Sequence, residues 1–339
     1  MNMELHTPLL QVDDLHVEFG DPRDSLEVIR GVSLRVEAGR TMGIVGESGS
    51  GKSVTVMSLL GLLPKAGRVT AGTAHFMGQD LLELSERRMQ SVRGGEIGMI
   101  FQDPMTALNP IMSIGQQIDE SLRRHSPDLN RRSRHKRILE LLDMVRIPRP
   151  DQRVNQHPHE LSGGMRQRVM IAIAMANNPR LILADEPTTA LDVTVQAQIL
   201  RLLLEVQRES DAALVLITHD LGVIAEVADH ATVMYAGTVV ETGTVRDVFH
   251  RPSHPYTVGL LQSRLTLTTG ERQELPTIPG QPPDLRLLPT GCAYRPRCHI
   301  AGSREICRTD RPPLNEVGPA HAAACFFSDE LAPLQGANV

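Results

Sequence analysis

The chain has 339 residues, 41% hydrophobic and 22% charged, which is enough for a main domain with an appendage and a substantial buried core. A net charge of −5, with no Trp, three Tyr and six Phe, argues against a nucleic-acid-binding protein, which needs a basic surface or stacking aromatics. No apolar run approaches membrane-spanning length, and residues 1–10 lack the pattern of a secretory signal, so we expect a cytosolic protein.

The N-terminal part of the chain shows strand patterns followed by one helix. Leu9–Phe19 and Val32–Val36 alternate apolar and polar side chains, which is the period of half-buried strands. Thr41–Val45 is a short apolar strand that runs directly into a glycine-rich turn. Ser53–Leu63 then has the apolar period of a helix, and Pro64 stops it.

The segment from Ser113 to Pro158 is helical in pattern and contains no predicted strand, which indicates an inserted helical subdomain. It includes a basic run formed by Arg131, Arg132, Arg134, Lys136 and Arg137. We interpret this run as a solvent-exposed helix face, in preference to a contact with anionic lipid or nucleic acid.

Short apolar strands and helices alternate through the rest of the main domain. Helices are predicted over Met165–Ala176 and Thr194–Arg208. The predicted strands are Ile97–Phe101, Leu181–Ala184, Leu214–Thr218 and Ala231–Tyr235. This alternation predicts an α/β fold with a mainly parallel sheet covered on both faces. From about Pro276 to Pro319 the chain is rich in Pro, which predicts loops and turns. Such a segment needs a cross-link to hold its shape.

A phosphate-binding loop is predicted where the strand Thr41–Val45 meets the next helix. The sequence of residues 46–53 is GESGSGKS, which fits G-x-x-x-x-G-K-[ST] with a strand before it and a helix after it. Glycines let backbone N–H groups turn towards phosphate oxygens, Lys52 would reach the β- and γ-phosphates, and the Ser53 hydroxyl would bind Mg²⁺. The candidate nucleotide-binding residues here are Gly46, Ser48, Gly49, Ser50, Gly51, Lys52, Ser53 and Val54.

Two carboxylates follow the apolar strand Leu181–Ala184. In an open α/β sheet, the carboxyl end of such a strand faces the ligand crevice. Asp185 suits Mg²⁺, which prefers oxygen ligands, and Glu186 could act as the general base that polarises an attacking water.

The segment Leu161–Arg168, with the sequence LSGGMRQR, resembles the signature sequence of the ATP-binding-cassette (ABC) ATPases. Gln102 resembles the Q-loop glutamine of that family, Thr189–Asp192 resembles its D-loop, and His219 resembles its switch histidine. The resemblance covers residues 9 to about 325. It implies a P-loop NTPase fold of the ABC type: a RecA-like core with a parallel sheet, an antiparallel β subdomain and an inserted helical subdomain at about residues 103–178.

The resemblance also implies roles for these residues. The signature helix would bind the nucleotide held by an opposite subunit, so hydrolysis would need a dimer. His219 would hold the γ-phosphate and Glu186 in register, and Gln102 would sense Mg²⁺ and the γ-phosphate. Phe19 would stack on adenine, although a strand-end core Phe is an equal interpretation. The residues implied to contact the nucleotide in trans are Ser162, Gly163, Gly164, Gln167 and Asp192.

Within that family, the segments 158–160, 185–192 and 254–257 resemble the dipeptide/oligopeptide permease ATPases. This likeness implies a nucleotide-binding domain over 1–265, an irregular extension over 266–339, and ATP and Mg²⁺ as ligands. The implied partners are a second ABC ATPase subunit, two transmembrane permease subunits and an extracytoplasmic substrate-binding protein, at the cytoplasmic face of the inner membrane. The second ATPase is either another copy of this chain or, as is usual in the resembled permeases, a distinct homologue. An importer of nickel, haem or another solute, or an ABC ATPase outside transport, remains an alternative.

All four cysteines, Cys292, Cys298, Cys307 and Cys325, lie in the predicted extension with C-x5-C-x8-C-x17-C spacing. Disulfides are disfavoured in the cytosol, and zinc usually takes two close cysteine pairs, whereas an iron–sulfur cluster tolerates irregular gaps. The family resemblance implies a [4Fe–4S] cluster, with Zn²⁺ and unligated thiols as alternatives, and the site could be structural or redox-sensing. His299 and His321 are possible substitute ligands, but we expect both to be solvent-exposed.

Overall fold

The computed structural model describes residues 8–189, 191–265 and 278–331. Its strands, in chain order, are β1 (Leu10–Phe19), β2 (Leu26–Val36), β3 (Thr41–Val45), β4 (Gly67–Phe76), β5 (Gln79–Asp80), β6 (Ile97–Ile100), β7 (Leu181–Asp185), β8 (Ala213–Ile217), β9 (His230–Tyr235), β10 (Thr238–Thr244), β11 (Asn315–Gly318) and β12 (His321–Ala323).

The helices, in chain order, are α1 (Lys52–Leu59), α2 (Glu86–Val92), α3 (Pro104–Ala107), α4 (Ile114–His125), α5 (Arg131–Met144), α6 (Pro150–Arg153), α7 (Gly163–Met175), α8 (Val193–Ser210), α9 (Leu221–Val227), α10 (Val245–His250), α11 (Pro255–Leu265) and α12 (Glu305–Thr309). None of the helices in the described ranges is both long and apolar enough to span a bilayer.

The chain forms two compact units. The first unit is built on Val36–Thr41 and Glu83–Ile217, and the second on Leu10–Arg35, Met42–Leu82 and the described part of Thr218–Val339. Each unit therefore consists of segments that are distant in the sequence, and each contains some of the candidate site residues.

The first unit holds three parallel strands in the order β6-β7-β8, with helices α4, α5 and α7 packed together. Every residue of β7 is buried, because its continuous apolar sequence suits a strand covered on both faces. Helix α4 begins at a capping box in which Ser113 and Gln116 satisfy each other's backbone N–H groups. Residues 113–158 contain helices and no strand, as the sequence predicted, whereas their separation as a subdomain stays a prediction.

The second unit contains a four-stranded sheet in the order β2-β1-β4-β5, in which β1 and β4 pair antiparallel from Leu10–Phe76 to Phe19–Gly67. A second set of strands begins with β3, which pairs parallel with β9. Strands β10, β12 and β11 then continue it antiparallel. The parallel core was predicted from the sequence, but β4, β5, β10, β11 and β12 were not.

Several element boundaries differ from the sequence predictions. Helix α1 ends at Leu59 rather than Leu63, and β2 begins at Leu26, six residues before the predicted start. Strand β11 lies inside the segment predicted to be loops, because it pairs with β12, which itself pairs with β10. The first three residues of β11 are exposed, so this short strand shows no apolar period.

One prediction of solvent exposure is wrong, and another holds for part of its residues. His321 is only 5% exposed, because its ring lies against the buried carboxylate of Glu241 at 2.8 Å. In the basic run of α5, Arg131, Arg132 and Lys136 are exposed as predicted. Arg134 is half-buried, and its Nε lies 2.6 Å from Asp119. Ion pairing allowed these polar side chains to be covered, and their partners are distant in the sequence.

Candidate functional site

The loop between β3 and α1 requires glycine at particular positions. Gly46 has φ +155°, and a Cβ built there would lie 2.3 Å from the carbonyl oxygen of Met234. Gly51, with φ +101°, would place a Cβ 2.6 Å from the Ile29 side chain. No L-residue fits either position without moving its neighbours, so the loop can bend tightly only with these glycines.

Lys52 begins helix α1 and is 5% exposed. Its ammonium donates to the carbonyl oxygens of Gly46 at 2.8 Å and Glu47 at 3.0 Å, so the side chain folds back along the loop. Ser50 Oγ is buried and makes no hydrogen bond with the described residues. A positive charge, a helix N-terminus and a buried hydroxyl thus face the same loop, which is a suitable environment for phosphate.

The second loop residue, Glu47, is fixed by residues far along the chain. Its backbone N–H donates to the hydroxyl of Tyr256 at 2.8 Å. Its carboxylate forms a bidentate ion pair with Arg297, with distances of 2.6 and 2.9 Å. Neither Arg297 nor the role of Glu47 is predictable from the sequence, because an ion pair across 250 residues leaves no local pattern.

The carboxylates of the first unit lie at the end of β7. Asp185 is 2% exposed, and Glu186 follows it with φ +44°, a left-handed conformation that is rare for this residue type. The Glu186 carboxylate accepts hydrogen bonds from Gln102 Nε2 at 3.2 Å and from Thr189 Oγ1 at 2.8 Å. The structure therefore brings together Gln102 and Glu186, two residues singled out separately in the sequence.

The signature segment forms the start of helix α7. Ser162 caps the helix by accepting from the backbone N–H of Met165, and Ser162 and Gly163 are exposed. Gly164 packs so closely that an added Cβ would lie 2.8 Å from the Val195 side chain. The exposed helix tip suits an anionic ligand, whereas Gln167 is 1% exposed and lies inside the unit.

The remaining predicted residues are placed separately. Asp192 is exposed and caps α8 by accepting from Val195 N–H at 2.9 Å, and Ala190 of the predicted D-loop lies outside the described residues. In the second unit, His219 is exposed after β8. Phe19 is half-buried, and its ring packs against Gly67, its partner on β4. A Cβ built on Gly67 would lie 2.9 Å from the Phe19 ring.

All four cysteines line one cavity of about 20 Å³, together with Tyr294 and Phe327. None of them forms a disulfide. Burial raises the pKa of the Cys292 and Cys298 thiols, and raises that of Cys325 to about 11. Among the described residues there is no group of three or more His, Cys, Asp or Glu side chains arranged to hold a metal ion.

The wall of this cavity is continuous with an aromatic cluster. Tyr235, Tyr256 and Tyr294 meet with ring centroids 4.7 to 5.4 Å apart, and His254 lies 5.6 Å from Tyr294. Burial lowers the pKa of His254 to about 3, so its ring is neutral and Nδ1 accepts from the backbone N–H of Tyr256 at 3.1 Å. The three tyrosines of the chain therefore pack between the phosphate-binding loop and the cysteines.

Proteins of known function match most of this chain. Residues 29–189 match the ABC transporter family. The chain is also 52% identical over 328 residues to the oligopeptide transport ATP-binding protein OppD of Bacillus subtilis (strain 168), covering 96% of this chain and 91% of that protein. The chain belongs to the ABC transporter family. It is an ATPase of the ABC type.

The similarity extends beyond the cassette itself. Residues 240–307 match the C-terminal region of oligopeptide/dipeptide transporters. OppD of Escherichia coli (strain K12) is 48% identical over 318 residues, covering 94% of this chain and 93% of that protein. The dipeptide transport ATP-binding protein DppD of Bacillus subtilis (strain 168) is 47% identical over 327 residues, covering 96% of each.

Among solved structures, this ABC chain resembles the dimeric post-hydrolysis state of the ATP-binding cassette MJ0796 bound to ADP and Pi. The TM-score is 0.63 at 28% identity, covering 70% of this chain and 99% of that one. The cassette cbiO1 from Clostridium perfringens, part of the cbiONQ transporter complex, gives a TM-score of 0.61 at 26% identity, covering 71% and 90%. These similarities confirm the P-loop fold of the ABC type.

Proposed function

We propose that this chain is the ATP-hydrolysing subunit of an ABC importer for dipeptides or oligopeptides. The observation that carries the proposal is the near-full-length similarity to OppD and DppD, which includes the C-terminal region as well as the cassette. ATP and Mg²⁺ are the ligands expected of such an ATPase.

We assign the nucleotide-binding roles to the following residues. Lys52 and the backbone N–H groups of the phosphate-binding loop bind the phosphates, and Ser53, Asp185 and Gln102 hold Mg²⁺. Glu186 polarises the attacking water, and His219 holds it in register with the γ-phosphate. Two hydrogen bonds to the Glu186 carboxylate support its assignment, because an oriented base needs fixed donors.

A second ATPase subunit completes the site in this proposal. The Ser162 helix tip is exposed, as a surface that binds a neighbour's nucleotide must be. Gly163, Gly164 and Asp192 are assigned to the same contact. Gln167 is buried in this structure, so it could contact the nucleotide only after its side chain becomes exposed. The complete importer also contains two membrane permease subunits and an extracytoplasmic substrate-binding protein, with this chain bound peripherally at the cytoplasmic face.

Two further assignments remain proposals. Phe19 is assigned to adenine stacking, since its ring is half-buried at the end of β1. The division into a nucleotide-binding domain over 1–265 and an extension over 266–339 stays a prediction, because residues 266–277 lie outside the described residues.

We assign a [4Fe–4S] cluster to the four cysteines. Four thiols around one cavity are the donor set that such a cluster needs. Zinc is the weaker choice, because a single Zn²⁺ holds all of its sulfur ligands at about 2.3 Å. No three of the described thiols are arranged to hold one ion. When bound, the cluster would cross-link the segments of the extension that carry the four cysteines.

Nucleotide binding to the full-length protein tests the loop assignment. Lys52→Ala should weaken MgATP binding by at least about tenfold, the loss of one charge-assisted phosphate contact. The matched control is Lys65→Ala, since Lys65 is exposed after α1 and should leave affinity unchanged. Unchanged affinity in Lys52→Ala would remove the loop from the nucleotide site.

Uptake assays in cells that lack the gene test the substrate class. The wild-type gene should restore uptake of labelled dipeptides or oligopeptides, and the gene carrying Glu186→Gln should not. Restored uptake of nickel or haem without peptide uptake would replace the peptide assignment.

Iron and sulfide analysis of anaerobically purified protein tests the cluster. Wild-type protein should contain both elements and show cluster absorption in the visible range, and Cys298→Ser should lose most of each. Zinc with a featureless visible spectrum would overturn the cluster assignment.

A further inference from the structure

Glu47 uses all of its polar groups to hold the start of the phosphate-binding loop. Its N–H donates to Tyr256, its carbonyl accepts from Lys52 and from Ser50 N–H at 3.2 Å, and its carboxylate pairs with Arg297. The conformation of this loop residue therefore depends on partners from α11 and from the C-terminal extension.

Arg297 is itself held rigidly. It is 7% exposed, its Nε donates to the carbonyl of Pro279 at 2.9 Å, and its guanidinium lies 5.9 Å from the centre of the Tyr235 ring. A bidentate ion pair fixes both distance and plane, which a lysine in the same place could not do. Burying a charged side chain such as that of Arg297 is costly in free energy, so the pair is better suited to positioning than to stability.

The backbone around Arg297 is shaped by the cysteines. Arg297 ends a 3-10 turn over Arg295–Arg297 that lies between Cys292 and Cys298. The N–H of Arg295 donates to the Cys292 carbonyl at 3.1 Å, and the N–H of Cys298 donates to the Arg295 carbonyl at 3.2 Å. A group bound by these two cysteines would fix both ends of the turn that presents Arg297.

We propose that Arg297 is a positioning residue that couples the four-cysteine site to the phosphate-binding loop, so that filling the cysteine site raises nucleotide affinity. This coupling rests on the proposed function of the loop and of the cysteines. It is reciprocal by thermodynamic linkage, so bound nucleotide should raise the affinity of the cysteine site for iron by the same factor.

A double-mutant cycle on the full-length protein, purified anaerobically, tests the ion pair. Arg297→Gln and Glu47→Gln should each weaken MgADP binding by about tenfold, and the double variant should be no weaker than either single variant. The KM for ATP should rise while kcat changes little, because Arg297 touches no reacting atom. Additive losses would overturn the proposal, and Arg308→Gln, at a 63% exposed site of the extension, is the matched control.

The second measurement compares iron-loaded with iron-depleted protein. Wild-type protein should bind MgADP more tightly when loaded, and this difference should disappear in Arg297→Gln. A difference that persists in Arg297→Gln, or no difference in the wild type, would overturn the coupling. If Arg297→Gln does not fold, Arg297→Lys replaces it, since it keeps the charge and loses the bidentate geometry.

The controls separate this proposal from the one on which it rests. Lys52→Ala must lose nucleotide affinity if the loop binds phosphate. If Lys52→Ala loses affinity and Arg297→Gln does not, the coupling alone fails. If Lys52→Ala binds normally, the loop assignment itself fails.

Discussion

The hydroxyl of Thr189 donates a hydrogen bond to the Glu186 carboxylate over 2.8 Å. The amide of Gln102 donates to the same carboxylate oxygen at 3.2 Å, from an element 84 residues away in the sequence. Together with the left-handed backbone at Glu186, these two donors fix the direction of the carboxylate. A fixed orientation is what a general base requires, since it must meet a water at hydrogen-bonding distance.

Replacing Glu186 with Gln should abolish ATP turnover while MgATP binding is retained. The amide has nearly the same shape as the carboxylate but cannot accept the proton of the attacking water, so the ATP-bound dimer should accumulate. Phosphate release and gel filtration with MgATP measure the two effects. Near-normal hydrolysis would show that another group is the base.

Replacing Thr189 with Val should lower kcat about tenfold and leave the KM for ATP nearly unchanged. The substitution keeps the side-chain volume but removes the hydroxyl that orients Glu186, an effect of about 1.4 kcal/mol on the transition state. Thr194→Val is the matched control, because Thr194 is exposed at the start of α8. An equal loss in the control would assign the effect to α8 rather than to Glu186.

Replacing Glu241 with Gln should destabilise the protein by about 2–4 kcal/mol. The carboxylate is fully buried and accepts from the N–H groups of Ser253 and His254 and from the ring of His321, so an amide NH₂ would face a donor. Urea unfolding measures the difference. Glu316→Gln, on the exposed strand β11, should cost less than about 0.5 kcal/mol, and comparable losses would contradict the buried network.

His16 should stabilise the antiparallel sheet of the second unit in a pH-dependent way. A hydrogen bond to Glu27, with a smaller one to Asp14, raises the His16 pKa above 6.5. The stabilisation is therefore fully present below pH 6.5 and is lost as the pH rises through the folded-state pKa. It should amount to about 0.5 kcal/mol, because both acids are solvent-exposed.

The measurement for His16 is the free energy of unfolding of wild type and His16→Gln at several pH values. The wild type should be more stable than His16→Gln at acidic pH, and the difference in free energy of unfolding should disappear at alkaline pH. A gap that stays constant with pH would show that His16 contributes by packing and not by charge.

The sequence predicted the parts of the protein that are built from local patterns. The buried strand Thr41–Val45, the glycine loop and the start of α1 are contiguous, so spacing alone predicted a glycine loop between a strand and a helix. The same holds for β7 with Asp185 and for the helices of residues 113–158. In each case the apolar period and the key residues lie within one segment of chain.

Tertiary structure decided which distant groups meet. Glu47 and Arg297 are 250 residues apart, and Glu241 and His321 are 80 apart, so no local pattern predicts either pair. Burial made both pairs necessary, because a charged group removed from water needs a partner of opposite charge or a hydrogen bond. The sequence by itself determined the elements that carry the chemistry, and folding determined the contacts that orient them.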